Sequence, residues 1–267
     1  MLRDITLGQY YRTESVIHSL DPRVKLVATF VFIISLFVAN NFVGYVIAAL
    51  FLAMCIYLSK VPPKFIFRGM KTIFFLLMIT MVFNLFLTPG KELISIWKLT
   101  ITYEGLKMAI MMAIRLMFLI TGSSLMTLTT TPNNLTDGLE KLLRPLRLFK
   151  VPVHEISMMM SIALRFIPIL MEETDKIMKA QMARGADFES GSIIKRAKSL
   201  VPLLVPLFIS AFRRANDLAM AMEARCYKGG DGRTKMKPLI YQNRDRLAYL
   251  VIWAYLGIII VMGRILF

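Results

Sequence analysis

Arginine flanked by small residues occurs twice, as Ala183-Arg184-Gly185 and as Ala224-Arg225-Cys226, with the two arginines 41 residues apart. A guanidinium is planar, always charged, and presents a fork of donors that fits a carboxylate in bidentate fashion. Small neighbours let such a fork enter a narrow groove. The residues leading into each tip repeat as well. At helical spacing the first stripe reads Ile177, Ala180, Gln181, Arg184, and the second reads Leu218, Ala221, Met222, Arg225. Charge sits on the far sides, Lys176 and Lys179 in one case, Asp217 and Glu223 in the other. Gly185 suits a left-handed C-terminal cap, and Gly229-Gly230 break the chain after the second tip. Arginine at a helix end gains only about 0.3–1 kcal/mol from the helix dipole, which would account for one tip. Two tips with matching stripes read as two equivalent plugs for two equivalent sockets.

Other residues with chemical potential lack companions. His154-Glu155 has the types for acid–base or metal chemistry, but the second ligand set of H-E-x-x-H is missing, and the other histidine, His18, is remote in sequence. Cys55 and Cys226 cannot form a disulfide framework. The glycines of YKGGDGRTK do not have the spacing of a phosphate-binding loop. Paired sockets on the cytoplasmic side of a membrane are what a nucleotide-driven ATPase dimer offers, so the ATPase would have to be supplied by other chains.

The elements that must hold these tips are largely membrane helices. Apolar residues make up 57% of the 267, against about 45–50% in soluble domains, and the mean hydropathy is +0.61. Apolar runs predict spans over 24–39, 42–59, 72–87, 104–128 and 247–266. Between the third and fourth, residues 91–103 are β-branched and aromatic and suit a short hairpin or interfacial segment. The 33 Lys/Arg against 17 Asp/Glu give a net charge of +16. These cations gather in the N-terminal arm, the 60–71 loop and residues 130–246, which hold 20 Lys/Arg against 12 acids. The positive-inside rule then places the N-terminus in the cytoplasm and the C-terminus outside. This topology explains the positive charge better than nucleic-acid binding does, since no basic–aromatic platform is present. Arg115 stands inside the fourth span, where a charge is costly and often functional; it either lies near one end or pairs with a polar group such as Asn84.

The insert between the fourth and fifth spans carries the tips. Leu135, Leu139, Leu142, Leu143 and Leu146 predict a short amphipathic helix bracketed by Pro132 and Pro145. A long helix is expected from Pro152 to Ala183, kinked at Pro168, then a DFESGS turn, then a second long helix from Ser192 to Arg225, bent near Pro202 and Pro206. The first half of each is too apolar for a helix bathed in water, so each covers, or is covered by, other membrane protein. Reading 153–171 and 200–218 as two further spans is the competing arrangement. The platform candidates are Met158, Met159, Leu164, Pro168, Pro202 and Pro206.

QMARGADF and AMEARCYKGG, with HSLDPRVKL, TTTPNNL and LRFIPIL, resemble the T component of energy-coupling-factor vitamin transporters (EcfT-type), over nearly the whole chain. The resemblance implies an all-α integral membrane protein of about five transmembrane helices with a cytoplasmic coupling domain of long crossed helices. Residues 1–129 would form the arm and first four spans, 130–243 the coupling helices, and 244–267 the last span. It further implies that Arg184 and Arg225 dock into two ATPase subunits, which bind ATP and Mg²⁺. This chain would bind no cofactor, and a small separate membrane subunit would capture the vitamin or other micronutrient. The rival readings are a secondary transporter, which would show inverted repeats around a midplane site, and a membrane enzyme acting alone.

Overall fold

The structure, a computed structural model, describes residues 10–39, 41–96, 99–188, 192, 194, 198–230, 236 and 238–265. Among the described residues, the regular structure is helical apart from one hairpin. Its helices are α1 (Pro22–Val38), α2 (Phe42–Ser59), α3 (Pro63–Leu87), α4 (Tyr103–Thr129), α5 (Pro132–Leu143), α6 (Val153–Ala183), α7 (Val201–Ala224) and α8 (Asn243–Ile265). A 3₁₀ helix, Arg144–Phe149, follows α5. Strands β1 (Glu92–Ile96) and β2 (Leu99–Thr102) pair antiparallel between α3 and α4.

Two compact units result: residues 8–142 with 239–267, and residues 143–238. In the first, α1, α2, α4 and α8 pack around Phe32, Leu36, Tyr45, Leu52, Tyr255 and Ile259. The Phe51 and Tyr255 rings stack at 4.2 Å, and the buried Tyr255 hydroxyl is satisfied by Ser35 Oγ at 2.8 Å. Gly122 lets α4 approach α1, because a Cβ there would run into the Phe32 ring; small residues at such contacts let apolar helices close up in lipid. Thr102 caps α4 by accepting from the Gly105 amide at 3.0 Å, and its hydroxyl donates to the Thr88 carbonyl, tying the hairpin to the end of α3.

Among the described residues, α2, α4, α6 and α8 are long and apolar enough to cross a membrane. At ~1.5 Å per residue each covers a hydrocarbon core of about 30 Å or close to it. α2 has the bounds expected from its apolar run. α6, expected as a coupling helix, also satisfies length and composition, although Arg165 interrupts its apolar half and its last turns are highly charged. α1 has 17 residues. α3 starts nine residues earlier than its expected span, because Pro62-Pro63 initiate a helix instead of a loop; proline at the first helical position lacks only an amide that would be unpaired anyway.

Two expectations for the insert are corrected. α5 stops at Leu143, so Leu146 belongs to the 3₁₀ turn and not to the amphipathic helix; Pro145 lacks the amide that would continue α5. The second long helix does not run unbroken from Ser192: a turn at Leu200 precedes α7, which starts at Val201 with Pro202 in its first turn, while Pro206 lies inside it. Much of the DFESGS turn, residues 189–191, lies outside the described residues. Pro168 is accommodated within α6.

Candidate functional site: two arginine tips

The two tips are the same structure built twice. Arg184 and Arg225 are the C-cap residues of α6 and α7, with φ/ψ of −89/7° and −92/13°. The next residue is left-handed in both cases, Gly185 at φ 87° and Cys226 at φ 55°. After Arg184, the Gly185 amide donates to Met182 O and the Ala186 amide to Gln181 O, both at 3.0 Å. After Arg225, the Cys226 amide donates to Glu223 O at 2.8 Å and the Tyr227 amide to Met222 O at 3.0 Å. These are the two bonds of a Schellman motif. Burial repeats too. Gln181 and Ala186 are half-buried around an exposed Met182-Ala183-Arg184-Gly185, as Met222 and Tyr227 are around an exposed Glu223-Ala224-Arg225-Cys226. The six residues singled out from sequence, Ala183, Arg184, Gly185, Ala224, Arg225 and Cys226, are therefore all at the surface, with each guanidinium held on a fixed turn.

A left-handed conformation suits glycine and costs another residue about 1 kcal/mol. Cys226→Gly is thus expected to tighten the second tip by about 0.5–1 kcal/mol, and Gly185→Ala to loosen the first by a similar amount. Amide exchange at Tyr227 and Ala186, whose N–H groups close the motifs, reads both effects. Unchanged protection in both variants would contradict the assignment.

Three contacts fix how α6 and α7 lie together. Gln181 Nε2 donates to Pro202 O at 3.4 Å, Arg214 pairs with Glu173 at 3.1 Å, and the Tyr227 hydroxyl meets Met158 Sδ at 3.2 Å. As the number rises on one helix it falls on the other, so the two run antiparallel. The tips, both at C-terminal ends, consequently project from opposite ends of the pair, separated by roughly the length of the 24-residue α7, about 36 Å at ~1.5 Å per residue.

The apolar face of this unit is concentrated on α7. Leu204, Val205, Phe208, Ile209 and Phe212 are all exposed, Phe212 at 69%, and their spacing places them on one side of the helix. Of the platform candidates, Met159, Pro168 and Pro202 are exposed and Leu164 and Pro206 half-buried, while Met158 is engaged by Tyr227. Phe208 and Phe212 fall in the apolar first half of the second long helix, the stretch that the sequence marks as a covered surface.

The His154 ring packs where a Cβ on Gly230 would fall, and among the described residues no group of three His, Cys, Asp or Glu could hold a metal. Arg115 finds Tyr45, not Asn84: its Nε donates to the Tyr45 hydroxyl at 2.9 Å, and its guanidinium lies 5.4 Å from the Phe37 ring. Phe37 and Tyr45 flank the turn between α1 and α2, so Arg115 sits level with one end of those helices. Asn84 Nδ2 instead donates to Thr80 O one turn back in α3.

The HSLDPRVKL segment is a clamp in the first unit. Asp21 caps α1, accepting from the Arg23 amide at 2.9 Å and pairing with the Arg23 guanidinium at 2.7 Å. The Asp21 amide donates to Asp245 Oδ1 at 2.9 Å, and Asp245 Oδ2 accepts from Gln242 N at 2.8 Å. Lys25 Nζ reaches His18 O and Thr129 O at 3.0 and 2.8 Å. His18 itself bonds Ser15 Oγ and Tyr11 O, and burial holds its pKa below the usual 6.5. These bonds join the N-terminal arm, the start of α1, the end of α4 and the start of α8. A cavity of about 600 Å³ beside the clamp is lined almost wholly by apolar side chains such as Phe51, Leu52 and Ile252. Lys25 in its wall is committed to two carbonyls, and Thr29, Thr129, Asn243 and Arg244 also line it.

Comparison with known proteins agrees with this architecture. The family described as cobalt transport protein, CbiQ, matches residues 13–236. The chain is 58% identical to the energy-coupling factor transporter transmembrane protein EcfT of Clostridium kluyveri over 252 residues, 94% of this chain and 93% of that one. It is 51% identical to the protein of the same name from Ruminiclostridium cellulolyticum over 267 residues, the full length of both. It is 48% identical to that of Bacillus subtilis over 246 residues, 92% and 93% of the two chains. With its helical bundle, apolar spans and matches along its length, the chain belongs to the EcfT family of multi-pass membrane transport proteins.

Proposed function

We propose that this chain is the energy-coupling membrane subunit of an importer of the energy-coupling-factor type. It would itself be non-catalytic and would link two cytoplasmic ATPase subunits to a small membrane subunit that captures a vitamin or other micronutrient. The observation that carries the reading is the pair of matching Schellman tips at opposite ends of one antiparallel helix pair. Each tip would seat its arginine in one ATPase, and ATP and Mg²⁺ would be bound by those partners. Closure of the ATPase dimer would then act on both ends of α6 and α7 together. The Lys/Arg bias favours a cytoplasmic N-terminus and an external C-terminus.

The exposed Leu204–Phe212 face of α7 would be the platform for the substrate-capturing subunit, since apolar patches of this kind mark interaction sites. A cysteine at Phe208 or Phe212, in a chain with Cys55 and Cys226 replaced, is expected to cross-link to that subunit in the assembled transporter. Cross-links obtained only from the hairpin between α3 and α4 would overturn this placement. For the function as a whole, co-expression with candidate ATPases should yield a complex that takes up substrate only with ATP. Uptake by the chain alone in proteoliposomes would overturn it.

A further inference from the structure

The cavity beside the clamp is polar at one end and apolar at the other, a division that the coupling role does not use. At the polar end Lys25 Nζ donates to Thr129 O at 2.8 Å, and Asn243 and Arg244, exposed at the start of α8, share the wall. At the other end the Phe32 and Phe51 rings lie 6.2 Å apart, and Gly122 leaves room beside Phe32. The lining follows α1 from Val24 to Phe32 and α8 from Arg244 to Ile252, about 12 Å along each at ~1.5 Å per residue. That is close to the depth of one leaflet, half of a hydrocarbon core of about 30 Å. The volume of about 600 Å³ falls within the range of about 300–1,000 Å³ found for small-molecule sites. Among the described residues the wall holds two cations, Lys25 and Arg244, and no acid.

Lys25 is 7% exposed. An ammonium has three donors, and two of them go to His18 O and Thr129 O, carbonyls that solvate the charge without neutralising it. The neighbouring acids are engaged elsewhere: Asp21 pairs with Arg23, and Asp245 accepts from the Asp21 and Gln242 amides. The Thr29 and Thr129 hydroxyls donate to carbonyls of their own helices. A buried charge is costly unless it is paired, so the end with Lys25 and Arg244 favours an anion, and the remainder favours hydrocarbon. A membrane offers both in one molecule, at this spacing, as an anionic phospholipid. We infer that the cavity is a phospholipid site, with the anionic headgroup at Arg244 and Lys25 and one acyl chain laid along α1 and α8 toward Phe32 and Phe51. The lipid would complete the packing between the N-terminal arm and the bundle. This inference rests neither on ATPase docking nor on the capture subunit.

The test uses the full chain in phosphatidylcholine nanodiscs doped with phosphatidylglycerol that carries a photoreactive diazirine midway along one acyl chain. After irradiation, the modified residues are mapped by peptide mass spectrometry. Label is expected at Phe51, Cys55 and Met126 in the cavity wall, above the level at Phe75, which is 74% exposed on α3 and reports ordinary lipid contact. The same diazirine on phosphatidylcholine should mark the cavity roughly five-fold less, and Arg244→Gln should lower the phosphatidylglycerol label by a similar factor. Ala248→Phe, which fills the cavity, should remove the cavity label and leave that at Phe75. Arg244→Gln, at an exposed position, still gives the reading if the bulkier chain does not fold. Three results would each overturn the inference: cavity label no stronger than that at Phe75; cavity label indifferent to headgroup charge and to Arg244; or cavity label displaced by a water-soluble vitamin and not by excess unlabelled phosphatidylglycerol, which would make the cavity a substrate site.

Discussion

Replacing Arg184 and Arg225 together by alanine is expected to abolish assembly with the ATPases, and either replacement alone to impair uptake. If the arginines only terminated helices, each change would cost about 0.3–1 kcal/mol and transport would continue. A guanidinium paired with a carboxylate inside a socket is different, because its removal strands the partner charge. That costs roughly 2–5 kcal/mol at the contact, on the order of thirty- to several-thousand-fold in affinity. Arg184→Lys and Arg225→Lys should rescue poorly, because an ammonium keeps the charge but lacks the planar fork. The Schellman geometry strengthens the case. The tip backbone is closed by its own hydrogen bonds, so truncating the arginine removes the plug and leaves its mount intact. Residual ATPase activity in the double variant should no longer respond to substrate loading. Normal uptake by the two lysine variants would contradict the bidentate socket.

The second large effect is expected at Asp245→Ala. Asp245 is 1% exposed, and its carboxylate accepts from the Asp21 and Gln242 amides, so it holds the first turn of α8 and the cap of α1 at once. An acid three residues into a helix that reaches back to the cap amide is half of a capping box. Alanine would leave two amides without acceptors, at about 1–3 kcal/mol for each that stays buried. A loss of about 2–4 kcal/mol follows, roughly 5–15 °C in thermal unfolding of the detergent-solubilised chain. Asp245→Asn keeps one acceptor oxygen and should lose about half as much. An alanine variant that melts with the wild type would show that the clamp is dispensable.

What was legible in the sequence was whatever repeats locally. α2 follows its apolar run residue for residue, and α6 ends at the expected Ala183. The two tips were visible because each is a short pattern at helical spacing, and Gly185 announced its left-handed turn. Cys226 gave no such signal: cysteine is not a residue that favours positive φ, and only the hydrogen bonds around it reveal the same cap. Contacts between distant segments were hidden for a related reason. Asp21 and Asp245 are 224 residues apart, and nothing in the local spacing of HSLDPRVKL selects a partner on α8. Arg115 was recognisable as a costly charge, but choosing Tyr45 over Asn84 requires knowing which faces of α2 and α3 turn toward α4. The break before α7 follows from Pro202 at a first-turn position, where the proline starts a helix and does not bend one already running.

Native mass spectrometry of the assembled transporter tests the two-plug account most directly, because it counts ATPase subunits on each chain. The wild type is expected to carry two, Arg184→Ala and Arg225→Ala to give weakened, partly dissociated complexes, and the double variant to carry none while retaining the fold of its bundle. A double variant still holding two ATPase subunits at wild-type occupancy would contradict it, and would leave Arg184 and Arg225 as ordinary helix ends.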